Sequence, residues 1–293
     1  MAQPDPYLPS RPDGKFVETA AQFQTRLKSR TPELAFDPNQ TPEQFLSWKE
    51  EVRQKLVELL AFPEPSTARE ARRIQTEPRE GYTLEKWELF WGEKAVIPFL
   101  LLVPDALTPA NPGRAVLCFP GSGRTKENLA GEPELDNRPI PRDWKWEGNC
   151  MALHYAQAGF IALAVDNPAF GETASRHLER NDLALSLLWE GWSYEGLATF
   201  QAALLLHWLA TEDRLQGPIA ASGHSLGAKY ADFLGLLYPD RIRAVIHNDF
   251  IGNWRERLIA LNGAPRPPYQ IIPGFFRWFD YTDLLAALAP VPV

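Results

Sequence analysis

Histidine, cysteine and runs of positive charge are scarce in this sequence, and each scarcity excludes something. Five histidines are dispersed over 293 residues with no H-E-x-x-H spacing, which excludes a zinc site built on one helix. The two cysteines, Cys118 and Cys150, fall in an apolar run that reads as a strand and at the start of an apolar helix. They predict two buried thiols rather than a disulfide, and no C-x-x-C pattern offers a metal site. No metal and no cofactor is expected. Basic residues never extend beyond the pair Arg72-Arg73, and the net charge is −7, so neither nucleic acid nor an anionic membrane surface is the expected partner. Long apolar runs are also missing. The longest, Leu197 to Ala210, is interrupted by Thr199, Gln201 and His207 and is too polar to span a bilayer. Met1 to Pro6 has no basic segment followed by an apolar one, so no signal peptide is read there and a cytoplasmic location is expected.

What is present suits one large core. Hydrophobic residues make up 45% and charged residues 23% of the chain, the balance of a globular domain. Residues 1–69 read as an N-terminal arm and a helical cap. Pro4, Pro6 and Pro9 favour an extended arm, and helical patterning covers Lys15 to Arg30. A second helix begins after Thr41, with Pro42 in the first helical position and Gln44 placed to close a capping box. Its apolar stripe is Phe45, Trp48, Val52, Leu56, Leu59 and Leu60. From Glu70 to Val103 the period changes to two, and three strands with short turns predict an antiparallel meander at a sheet edge. Beyond Arg114, strands and helices alternate: strands at 115–119, 160–165, 219–221 and 244–247, helices at 149–158, 194–210, 226–237 and 254–261. That order predicts a mostly parallel sheet with helices on both faces, and ligands gather at the C-terminal ends of such strands.

Two glycine-rich turns fall at those ends. Gly223-His224-Ser225-Leu226-Gly227 separates a strand from a helix, the setting of a nucleophile elbow. The sharp turn requires small neighbours, lifts the Ser225 hydroxyl off the strand tip and puts a helix N-terminus behind it, which favours developing negative charge. A turn that merely contains serine is the plain alternative. Phe119-Pro120-Gly121-Ser122-Gly123 follows another strand tip. The backbone N–H groups of Ser122 and Leu226 are the candidate oxyanion donors, with Gly121 and Gly123 shaping the loop.

Together with Asp166-Asn167-Pro168-Ala169-Phe170-Gly171-Glu172 and the stretch from Phe279 to Val293, these motifs resemble the α/β-hydrolase superfamily. Within it they are most similar to the dienelactone-hydrolase-like and acetyl-xylan-esterase-like branch, over residues 70–293. The resemblance implies an α/β-hydrolase fold and a serine-dependent carboxylic-ester hydrolase acting on a small-molecule ester, such as a short-chain or acetylated sugar ester. Pro120-Gly121 stands where many relatives have His-Gly, and serine occupies the elbow where dienelactone hydrolases carry cysteine.

The acid and base are harder to place. In this superfamily they follow the serine as Asp or Glu and then His, yet no histidine follows His247. Ala289-Pro290-Val291-Pro292-Val293 reads as the beginning of a late strand, so the base is expected beyond Val293 and the domain is expected to be incomplete at its C-terminus. Among residues present, Asp249 is a candidate acid. His224 adjoins the serine but points elsewhere in an elbow, and His247 reads as a satisfied strand-end residue. His154, His177 and His207 read as helix-surface or loop residues, and Asp166 as a loop organiser. Three readings stay open: an esterase, an incomplete or non-catalytic hydrolase domain, and a peptidase of the same fold. Of the ten tryptophans, Trp48 and Trp208 fall on apolar helix faces. Trp144, Trp146, Trp189, Trp192, Trp254 and Trp278 could wall a pocket, with core or cap packing the preferred role.

Overall fold

The computed structural model describes residues 19–61, 70–92, 95–135, 150–175, 177–249, 252–260 and 267–293. The arm at 1–10, Trp144 and Trp146 lie outside them.

Seven strands form one mixed sheet: β1 (Ala71–Arg79), β2 (Tyr82–Gly92), β3 (Ala95–Pro104), β4 (Gly113–Phe119), β5 (Ile161–Val165), β6 (Leu215–His224) and β7 (Ile242–Asn248). Their spatial order is β1-β2-β3-β5-β4-β6-β7. β1, β2 and β3 pair antiparallel, which is the expected edge meander, and β3 also pairs antiparallel with β5. β5, β4, β6 and β7 pair parallel. The chain steps from β4 outward in both directions, to β5 on one side and β6 on the other. The strand order therefore reverses beside the C-terminal end of β4, where open α/β sheets place ligands.

The helices are α1 (Thr19–Ser29), α2 (Pro42–Leu60), α3 (Lys126–Ala130), α4 (Met151–Gln157), α5 (Arg180–Trp189), α6 (Tyr194–Leu209), α7 (Leu226–Leu237), α8 (Trp254–Ala260), α9 (Phe275–Trp278) and α10 (Tyr281–Leu288). Alternating side chains of β3 show how they cover the sheet. Phe99, Leu101 and Val103 join one core with residues of α2, α6, α7 and α10, while Leu100 and Leu102 join a second core with α3 and α4. α6 lies within the first core and buries thirteen of its sixteen residues, which explains why its sequence is apolar nearly all round.

α2 begins as its sequence predicts. Thr41 and Gln44 exchange side-chain and backbone bonds in a capping box, and Pro42 takes the first turn. Its stripe Trp48, Val52, Leu56 and Leu60 is buried in the core beneath the sheet, each such side chain stabilising by roughly 1.5–3 kcal/mol. The segment ahead of it is stitched to the chain's far end: Leu34 N–H donates to the Trp278 carbonyl over 2.7 Å, and Phe36 N–H to Asp283 over 2.8 Å.

Residues 289–293 form a turn rather than the expected strand. They still lie along the outer edge of β7, where Val245 N–H donates to the Pro292 carbonyl over 2.9 Å. Two prolines in five residues remove the donors a ladder needs. Both cysteines are free thiols, Cys118 fully buried and Cys150 only half-buried. Among the described residues no helix is long and apolar enough to cross a membrane.

Candidate active site

The elbow is built as the sequence predicts, and the structure adds the reason its glycines are needed. Ser225 has φ 50° and ψ −110°, a conformation that side-chain-bearing residues avoid. Its N–H donates to the Asn248 carbonyl at the end of β7 over 2.8 Å, and its carbonyl accepts from Ala228 N–H over 3.1 Å. A Cβ on Gly223 would stand 2.2 Å from the Gly227 backbone, and one on Gly227 would stand 2.3 Å from the Phe119 carbonyl. β4, β6 and the first turn of α7 therefore meet backbone to backbone, a contact that only glycine permits. Ser225 occupies the N-cap position of α7 yet makes no side-chain cap bond, and it is half-buried. Its hydroxyl is thus not consumed by the helix it precedes.

The loop after β4 lies against this elbow. His224 Nδ1 stands 2.6 Å from where a Cβ on Gly121 would be, so His224 is turned under the loop. Burial holds its ring below the usual imidazole range, with the Asp249 charge pulling the other way. The loop is held from outside by the segment after β5. Asn167 Nδ2 donates to the Gly121 carbonyl over 3.0 Å, and Arg180 Nη1 donates to the Ser122 carbonyl. The Asp166 carboxylate accepts from the Lys126 N–H and Nζ, each at 2.8 Å, and from Glu172 N–H at 3.2 Å. Asp166 is the loop organiser the sequence suggested, although its main partner lies forty residues away. The Arg180 guanidinium is stacked 3.9 Å from the Tyr269 ring centre and 4.7 Å from that of Phe170.

The remaining candidates separate. Asp249 follows β7, is exposed and has φ 63°. With Ala169 (φ 50°) four residues past β5 and Ser225 directly after β6, it completes a set of side-chain-bearing residues in left-handed backbone beyond the C-terminal ends of parallel strands, β4 lying between β5 and β6. His247 is occupied: its Nε2 pairs with Asp232 of α7, both side chains being at most 4% exposed. Burial is the main cause raising the Asp232 carboxyl to about 6, against the pull of His247. His154 and His177 are exposed, and His207 rests edge-on against Tyr238. Among the described residues none of the five histidines hydrogen-bonds the Ser225 hydroxyl, and no group of three or more His, Cys, Asp or Glu could hold a metal.

Trp48, Trp208 and Trp254 are buried, as expected of packing residues. Trp189 is not: it is 90% exposed. A cavity of about 360 Å³ lies away from the elbow, walled by Glu77, Lys86, Glu127, Glu134 and Glu172 over Leu84 and Leu100. Sequence reasoning missed Asn167 and Arg180 as neighbours of the loop after β4. Nothing local signals them, because both contacts cross more than forty residues.

A mixed sheet with this strand order, a serine elbow behind β6 and a glycine loop behind β4 defines an α/β hydrolase. The chain belongs to the abhydrolase family, whose model matches residues 5–293. A solved structure from Bacteroides fragilis, provisionally described as an acetyl xylan esterase, is 34% identical; the match covers 97% of this chain and 76% of that one, with a TM-score of 0.84. A glucuronoyl esterase from Solibacter usitatus is 18% identical, with 89% of this chain and 78% of that one covered and a TM-score of 0.54. Acetyl xylan esterase 1 from Thermoanaerobacterium sp. is 17% identical, with 92% and 77% covered and a TM-score of 0.50. The last two share the fold. No curated protein matches the chain at a significant level.

Proposed function

We propose that this protein is a serine-dependent carboxylic-ester hydrolase. The observation that carries the reading is the strained, uncapping Ser225 at the tip of β6, with the start of α7 behind it. In this reading the Ser225 hydroxyl oxygen attacks the ester carbonyl. The carbonyl π electrons move onto oxygen, and the N–H groups of Leu226 and Ser122 receive the oxyanion. Each such donor is worth about 3 kcal/mol of transition-state stabilisation. Collapse of the tetrahedral species breaks the bond to the alcohol oxygen, the alcohol leaves with the proton that Ser225 gives up, and an acyl-Ser225 ester remains. Water attacks that ester, and the carboxylic acid departs with Ser225 regenerated.

A short acyl group on a sugar is the substrate class supported by the 34% identical relative and its description. Asp249, at the end of the strand beside the elbow, is our candidate for the orienting acid. A second reading, a fold that binds without turnover, is favoured by one observation: among the described residues no histidine engages the Ser225 hydroxyl. Labelling with a fluorophosphonate separates the two. The esterase reading expects one covalent adduct per chain, mapped to Ser225 by peptide mass and abolished by Ser225→Ala. An unlabelled wild-type chain that also fails to hydrolyse p-nitrophenyl acetate would support the second reading.

A further inference from the structure

We infer that Asn167 is a positioning residue that sets the direction of the Ser122 N–H, and through it the oxyanion site; this rests on the reading of Ser122 given above. The peptide joining Gly121 and Ser122 is planar and trans, so its N–H points opposite to its C=O. Whatever grips the Gly121 carbonyl therefore aims the Ser122 N–H. Two donors grip it: Arg124 N–H over 3.2 Å and Asn167 Nδ2 over 3.0 Å. Arg124 belongs to the same turn and travels with it. Asn167 is the second residue after β5 and is 1% exposed, so it is the donor fixed to the sheet.

Two further observations single out this amide. A carbonyl partner dictates that Asn167 presents its nitrogen to the loop. The orientation leaves Asn167 Oδ1 buried without a partner among the described residues, a cost of about 1–3 kcal/mol. A residue kept only for packing would be replaced at a gain by an apolar one of the same shape. The segment carrying it is also braced: Asp166 next to it is anchored to Lys126 at the start of α3, and Tyr194 Oη donates to the Pro168 carbonyl over 2.6 Å. The brace and the unsatisfied oxygen together describe a hydrogen bond whose direction matters more than its contribution to stability.

Asn167→Asp tests this because it keeps shape and exchanges donor for acceptor. When ionised, the new carboxylate repels the Gly121 carbonyl; when protonated, its O–H can donate to it. The expected result is a kcat for p-nitrophenyl acetate lowered about 10- to 100-fold at pH 8, with KM within twofold of wild type. The ratio of variant to wild-type kcat then rises toward one as pH falls. A purely structural role would lower both parameters or neither, with a ratio independent of pH, and would overturn the inference. A second readout does not depend on turnover: the ¹⁵N–¹H resonance of Ser122 in the full chain. It is expected to move further on Asn167→Asp than any amide outside residues 119–126 and 165–170. An unmoved Ser122 resonance overturns the inference whether or not the protein proves to be an esterase. Failure of the Ser225 labelling, with Ser122 shifted, would instead overturn the esterase reading alone.

Discussion

The Ser225 N–H is bonded to the Asn248 carbonyl over 2.8 Å, which fastens the left-handed residue of the elbow to the end of β7. The elbow cannot relax without breaking the parallel pairing of β6 with β7, so its strain is held by the sheet. Glycine adopts positive φ without the steric cost that serine bears. Ser225→Gly is therefore expected to be more stable than Ser225→Ala by about 1 kcal/mol in urea unfolding, and both are expected to lose hydrolysis. Equal stabilities would mean that the conformation is not strained.

Gly227 should tolerate no side chain. The new Cβ of Gly227→Ala meets the Phe119 carbonyl at 2.3 Å, a backbone atom with no rotamer to move. We expect a loss of about 1–3 kcal/mol of stability and a fall in kcat/KM of at least about 100-fold, the scale for losing an oxyanion donor. Thermal melting and ester hydrolysis read the two effects separately.

Lys229 and Glu195 form an ion pair in which both side chains are 0% exposed, with Tyr281 Oη also donating to Glu195 over 3.2 Å. Removing one partner leaves a buried charge. Lys229→Met alone is expected to cost about 3–5 kcal/mol, and Lys229→Met with Glu195→Gln much less. A double variant as unstable as the sum of the two singles would contradict this.

Asp232 gives stability a pH dependence of definite sign. Its carboxyl is raised from an ordinary 3.8 to about 6 in the folded protein, chiefly by burial. Between those values the folded state holds a proton that the unfolded state has released, so this group's contribution to stability falls as pH rises from about 4 to 6 and is flat above. The difference corresponds to about 3 kcal/mol. Asp232→Asn lacks the titration and should gain about that much relative to wild type between pH 4 and pH 7. Parallel stability curves for the two proteins would refute it.

Those outcomes depend on features that were unequally legible in the sequence. The meander, the capping box at Thr41 and the elbow could be read because each is encoded by neighbours: a period of two, a cap three residues from its partner, small residues around a serine. Lys126, Lys229, Glu195 and Asp232 would be taken for solvated charges, since their burial is decided by partners 15 to 40 residues away. Asn167 was visible only as part of a motif, and its grip on Gly121 is a tertiary fact. The tail from Ala289 reads as a strand on composition, while Pro290 and Pro292 leave it with one bond to β7. Trp189 shows the opposite error, a large aromatic expected to pack and left 90% in solvent.

Ala169, Ser225 and Asp249 stand at φ 50°, 50° and 63° in the turns that follow β5, β6 and β7. That rim is a reserve of stability the protein leaves undrawn. A selection for heat resistance alone would be drawn first to glycine at these positions, since relief there requires no new contact. Resistance gained at Ser225 would be taken directly from the proposed chemistry, and gains at Ala169 and Asp249 from the loops beside it. Hardening this molecule without disarming it would have to start far from the rim, on the exposed faces of α1, α2 and the meander.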